Sequence, residues 1–155
     1  MRRYWVDIIP TAISAYTVDI LELAPASGKP IRIISLNLHQ TSDFGDAQDE
    51  VISVKWVRGM TTSGTGGNTV TPSKCMSNDP SAGFGAESFN TSQASGGSPV
   101  ILARHGFNVR AGLERIYSPE EVIMVTSSEI ICLRFEASPV DAITLGGSVC
   151  VEEIG

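Results

Sequence analysis

Apolar residues in this chain recur at every second position, and only over short stretches. Val18 and Ile20 alternate within 16–23. Ile34, Leu36 and Leu38 share one face of 31–39, and Ile52, Val54 and Trp56 share one face of 51–58. Ile131, Leu133 and Phe135 repeat the pattern. A two-residue period is that of a half-buried strand and conflicts with the 3.6-residue period of a helix. Pro25-Ala-Ser-Gly28-Lys-Pro30 forces a turn between the first two stretches, because glycine supplies positive φ and each proline removes a ladder donor. Further β signal runs through 100–105, 107–110 and 113–117, broken by Gly106 and Gly112. Ser118-Pro119-Glu120-Glu121 reads as a helix start. The β-branched Val122, Ile123, Val125 and Thr126 limit it to one or two turns. Residues 142–154 form a last strand pair, or one strand bulged around Gly146-Gly147. About eight or nine short strands with almost no helix predict an all-β fold, an antiparallel sandwich of the jelly-roll kind. At 155 residues the chain makes one domain.

One stretch departs from this pattern. Of the 38 residues from Thr61 to Ser98, 21 are Thr, Ser or Gly, so no continuous apolar face can form and the free segment has high backbone entropy. Only Phe84 to Phe89 hints at a strand. Compact domains rarely carry so long an excursion unless it is functional or held in place. Contact with neighbouring subunits is the expected means of holding it; tucking against its own domain is the other.

Composition narrows the chemistry. The net charge of -6 gives no field that recruits nucleic acid or an anionic membrane, and no apolar run approaches the roughly 18 residues of a membrane helix. Asp7 and Pro10 interrupt the stretch behind Met1-Arg2-Arg3 that would otherwise imitate a signal peptide, so a soluble, unprocessed chain is expected. Cys75, Cys132 and Cys150 are odd in number and form no CxxC pair, which speaks against a disulfide framework and fits cytoplasmic synthesis. His39 and His105 are the only histidines, no Gly-x-Ser-x-Gly elbow accompanies them, and no metal-ligand spacing appears. No catalytic residue, cofactor site or metal site is therefore assigned. Asp43, Asp46, Asp49 and Glu50 offer hard oxygen ligands without the alternation of a calcium loop, and read as a solvated acidic segment. Ser63-Gly64-Thr65-Gly66-Gly67-Asn68 imitates a phosphate loop but lacks the lysine and the following helix.

What the sequence does offer is material for an interface. It uses 8 Arg against 3 Lys, and arginine is the cation enriched where proteins meet. Arg104, Arg110 and Arg115 are candidate interface residues; the alternative is that they balance carboxylates such as Glu114 and Glu136 across strands. Arg2, Arg3, Tyr4 and Trp5 combine two cations with two aromatics, a set suited to anchoring an N-terminal arm (1–10) in a partner groove. The alternative is that Tyr4, Trp5 and Val6 begin the first core strand.

From Ile31 onward the chain resembles a family of small virion-associated proteins of tailed phages and prophages. The resemblance rests on 39–50, Lys55-Trp-Val-Arg-Gly59, Thr61-Thr-Ser-Gly-Thr-Gly-Gly67, Asn90-Thr-Ser-Gln93, Phe107-Asn-Val-Arg-Ala-Gly112 and the ending Val151-Glu-Glu-Ile-Gly155. It implies a non-enzymatic β-sandwich component of the particle, a decoration or cement protein on the capsid surface. Its partners would be the major capsid protein and its own copies in a homotrimer, without nucleic acid or membrane. A tail fibre, adaptor or receptor-binding head is the alternative, and a carbohydrate-binding module, thinly supported by the aromatics, is a third reading.

Overall fold

The computed structural model describes residues 1–14, 18–42 and 49–155. The described residues hold twelve strands and one 3-10 turn. In chain order they are β1 (Arg2–Ile13), β2 (Asp19–Pro25), β3 (Ile31–Gln40), β4 (Val51–Met60), β5 (Asn68–Val70), β6 (Ser73–Lys74), β7 (Phe84–Asn90), β8 (Val100–Asn108), β9 (Leu113–Ile116), the turn Pro119–Glu121, β10 (Ile123–Val125), β11 (Ile130–Phe135) and β12 (Ile143–Glu153). They build the expected antiparallel sandwich. The first sheet runs β10-β3-β12-β1-β6, with β9 also pairing with β3; the second runs β5-β7-β2-β11-β4-β8.

The core lies between the sheets. Tyr4, Val6, Ile8, Leu36, Leu38, Val149 and Val151 meet Leu21, Leu23, Val54, Trp56, Ile131 and Leu133 there. Fully burying each such side chain contributes about 1.5–3 kcal/mol, which fixes which face of every strand turns inward. On β3 this overrides the simple alternation read from the sequence. Ile31 and Ile33 are buried with Leu36 and Leu38, while Ile34 is only partly so. The ladder to β12 pairs Ser35 with Cys150 and Ile33 with Val151, so Ile34 is the extra residue of a bulge that shifts the phase.

Residues 1–10 are not an arm. β1 pairs along its length with the central strand β12, from Arg2↔Glu153 to Ile13↔Ile143, and at Tyr4 and Trp5 also with β6. Strand alternation separates the expected anchor set: Tyr4 is buried and its hydroxyl donates to the Pro80 carbonyl, whereas Trp5 faces out. Gly106 likewise does not interrupt β8, which pairs with β4 from Val51↔Asn108 to Arg58↔Val100. At the other end, 142–154 forms one bulged strand, the irregularity lying between Ile8 and Thr11 of its partner.

The excursion 61–98 makes extensive contacts with its own domain, as the second of the two expected means has it. Its two legs are bridged at Thr62↔Ser95 and Thr65↔Ser92. Asn68–Val70 adds to β7, β7 pairs with β2, and Ser73–Lys74 crosses to β1. The legs fold over the outer face of the second sheet and bury a satellite cluster of Val57, Met60, Ala94, Ile130 and Cys132. This is why β2, expected to be half-buried, is buried on both faces. The closing turn requires glycine at 97: φ is +65°, and a Cβ there would stand 2.2 Å from the Gly59 carbonyl oxygen.

Candidate functional site

Two polar centres stand out among the described residues, and they differ in kind. The first lies beneath the excursion. Asp19 and Glu22 of β2 and Cys132 of β11 bring two carboxylates and a thiol together, all buried. Both carboxylates are already engaged. Asp19 pairs with Arg134 and accepts the Ala94 N–H at 2.7 Å. Glu22 accepts from the Ser63 hydroxyl, from the Gly64 N–H at 2.9 Å and from the Asn90 amide at 3.0 Å. Every one of these donors except Arg134 belongs to the excursion, so the carboxylates are what fasten it to the sheet. Burial, with both carboxylates nearby, pushes the Cys132 thiol well above its ordinary range, so it stays protonated and packs as a small apolar group. These groups can fasten a loop, and the acceptor capacity a cation would use is largely taken.

The second centre is open. β8 is the last strand of the second sheet and β9 lies at the edge of the first; the chain crosses from one to the other through the turn at 109–112. Between these edges the sandwich gapes into a cavity of about 390 Å³, with Leu102, Ala103 and Ile123 as apolar wall and Arg58, His105, Arg115, Tyr117, Glu120 and Glu121 as polar lining. Tyr117 is its pivot. The Tyr117 hydroxyl accepts the Trp56 Nε1–H at 2.7 Å and lies 3.0 Å from His105 Nε2. Burial and the Arg115 charge both lower the His105 pKa, against a smaller upward pull from Glu121. Burial raises the Tyr117 pKa to about 12, against opposing effects of the Trp56 hydrogen bond and of Arg115. Arg115 lies over the Tyr117 ring at 5.6 Å and pairs with Glu121 across the mouth. Arg58 donates to the Met124 carbonyl at 2.8 Å and so ties β4 to β10, one sheet to the other. The cavity can bind by hydrogen bonds of both senses along an apolar wall. Among the described residues, no serine or threonine hydroxyl and no thiol lines it.

The residues singled out from the sequence do not form one surface. Arg104, on β8, pairs with Glu136 at 2.7 Å and follows the cross-strand alternative. Arg110 lies exposed in the β8–β9 turn, and Arg115 faces the cavity. Arg2 pairs with buried Glu153 at 3.5 Å, and Arg3 with buried Glu152 at 3.0 Å. Asp43 and Asp46 lie outside the described residues; Asp49 accepts a hydrogen bond from Asn108, and Glu50 accepts the Val140 N–H. Sequence reasoning missed Asp19, Glu22 and Tyr117, because the partners of the two carboxylates come from 41 or more residues away and the Trp56 partner of Tyr117 from 61. A trace was legible: charged residues interrupting the apolar β2 stretch are expensive to bury unless paired. No protein-family model, no curated protein and no solved structure matches this chain.

Proposed function

We propose that this chain is a non-enzymatic structural protein of a tailed-phage particle, a decoration or cement protein that bridges capsomers on the capsid surface. The observation that carries the reading is a group of exposed apolar side chains on one sheet face and one strand edge, with further ones at Met1, Val51, Met76 and Val140. Trp5, Ile116 and Met124 stand on the outer face of the first sheet, and Val100 and Ile101 on the free edge strand β8. A long edge and an uncovered sheet face are surfaces by which β proteins join other chains. Locked loops suit this role, since a segment ordered before docking loses little entropy on assembly. The resemblance of 31–155 to virion proteins supplies the particle, the major capsid protein as partner and the homotrimer as the form of self-association. The cavity favours a second reading, a tail-associated adaptor or receptor-binding head that holds a small polar ligand.

Imaging of intact particles tests the proposal. Density for this chain repeated over the capsid lattice is expected. Density at the tail alone would replace the first reading by the second, and absence from purified particles would reject both.

A further inference from the structure

The outer face of the first sheet is ordered in rows, because residues paired directly across antiparallel strands point the same way. One row reads Arg3–Glu152–Arg32–Met124 across β1, β12, β3 and β10. The next reads Trp5–Cys150–Ser35–Ile116, and the third Asp7–Ser148–Asn37–Glu114, both ending on β9. The first row places one carboxylate between two guanidiniums, since Glu152 pairs with both Arg3 and Arg32, so it carries an excess positive charge. The third row carries two exposed carboxylates, Asp7 and Glu114, neither of which has an ion-pair partner among the described residues. Between them, Trp5 is 46% exposed and Ile116 68%.

We infer that this face pairs with the same face of a second copy, about a two-fold axis lying along the Trp5–Ile116 row. Such an axis keeps β1, β12 and β3 over their own counterparts, sets β10 over the partner's β9, and reverses the direction of each. Arg3 of each copy then meets Asp7 of the other, Met124 lies over Glu114, and the two Trp5 side chains pack together at the axis. β1 alone carries the self-complementary pattern: cation, aromatic and carboxylate at Arg3, Trp5 and Asp7, on one side of one strand. An isologous contact requires this of its surface. Strands of twelve, eleven, ten, four, three and two residues, at about 3.3 Å per residue and about 4.8 Å spacing, give the face on the order of 700 Å², somewhat below the roughly 800 Å² per partner of a standard interface. Aligned sheet stacking accommodates the twist with strands crossing at about 30°.

The contact uses a different surface from the free edge β8, so it adds a two-fold to whatever ring the copies otherwise form. It goes beyond the particle reading, and its test in free solution leaves that reading standing or falling separately. Sedimentation velocity and light scattering on the purified chain should give an even number of copies. Asp7→Arg and Trp5→Ser, both at exposed positions, should each halve the mass while leaving the denaturation midpoint near that of the wild type. Asp7→Arg mixed with Arg3→Asp should recover the paired mass that neither variant forms alone. Trp56 is fully buried, so iodide quenching reports Trp5, which should be shielded at high protein concentration and quenched on dilution. A mass unchanged in both Asp7→Arg and Trp5→Ser, or Trp5 fully quenchable in the assembled protein, overturns the pairing. So would a wild type that is monomeric at all accessible concentrations.

Discussion

Glu22 fastens the excursion through three hydrogen bonds, and hydrogen bonding should account for its role more than charge. Its Oε2 accepts from the Gly64 N–H and the Asn90 amide, and its Oε1 from the Ser63 hydroxyl. Glu22→Ala strands two buried N–H donors, each worth about 1–3 kcal/mol when left unpaired. Glu22→Gln keeps an acceptor toward those donors, and the Ser63 hydroxyl can rotate to accept from the new amide. Chemical denaturation should therefore show a loss of about 3 kcal/mol for Glu22→Ala and about 1 kcal/mol or less for Glu22→Gln. Equal losses would mean that the charge itself holds the segment. His105 gives a second residue-scale expectation, through pH. Its pKa in the fold lies below its ordinary 6.5, so the unfolded chain takes up the proton first as pH falls. The stability it contributes is complete above 6.5 and is lost as pH drops through the lowered value. Glu136, its pKa lowered below 4.5 mainly by Arg104, loses its contribution only at lower pH. Between 6.5 and 4.5 the wild type should weaken on acidification, and His105→Asn should flatten that slope; a slope unchanged in His105→Asn would remove His105 from this role.

At the scale of elements, the alternation of apolar residues was sufficient to find most of the strands, because burial on one face imposes a period of two wherever a strand is half-covered. It misled where the cover was different. β3 changes phase at Ile34 because a bulge inserts one residue, and β2 is buried on both sides because a distant segment lies over it. The Thr61–Ser98 excursion was legible as a segment that must be held, but not what holds it, since its anchors are two carboxylates on another strand and its own residues carry no periodic signal. Gly64 shows how close the fit is: a Cβ there would stand 2.4 Å from the Ser92 carbonyl oxygen and 2.7 Å from Asn90 Nδ2. Gly64→Ala must therefore push the two legs apart. Hydrogen exchange of the isolated wild-type chain should show Thr62, Thr65, Ser92 and Ser95 protected, as expected of amides donating backbone hydrogen bonds across the legs. In Gly64→Ala the same amides should exchange at least about tenfold faster, the effect of 1.4 kcal/mol of local opening, with β12 little changed. Rapid exchange of these amides in the wild type would return the ordering to neighbouring subunits.

At the scale of the molecule, the chain's two outermost strands complete one sheet. β12 lies between β1 and β3, so the first sheet cannot close until the last strand has been made. Long-range pairing of this kind makes folding slow relative to helical domains of the same size. It also decides what residues 1–6 are for. An arm could be removed with the body intact, but Tyr4 and Val6 are fully buried, Tyr4 packs edge-on against Phe84 at 5.7 Å, and Arg2 and Arg3 neutralise the buried Glu153 and Glu152. Losing a buried aromatic alone costs about 3–5 kcal/mol, a large part of the roughly 5–15 kcal/mol that holds a domain together. Uncovering two carboxylates adds to that, because among the described residues Glu152 would retain only Arg32, and Glu153 only Lys29, as basic partners. Deletion of residues 1–6 should therefore yield a chain without a cooperative thermal transition and with the near-ultraviolet signal of its packed aromatics lost. Trp5→Ser, which changes the same strand only on its outer side, should keep both. A deletion variant that melts cooperatively near the wild-type temperature would show the first strand to be dispensable, and with it the central pairing of the sheet.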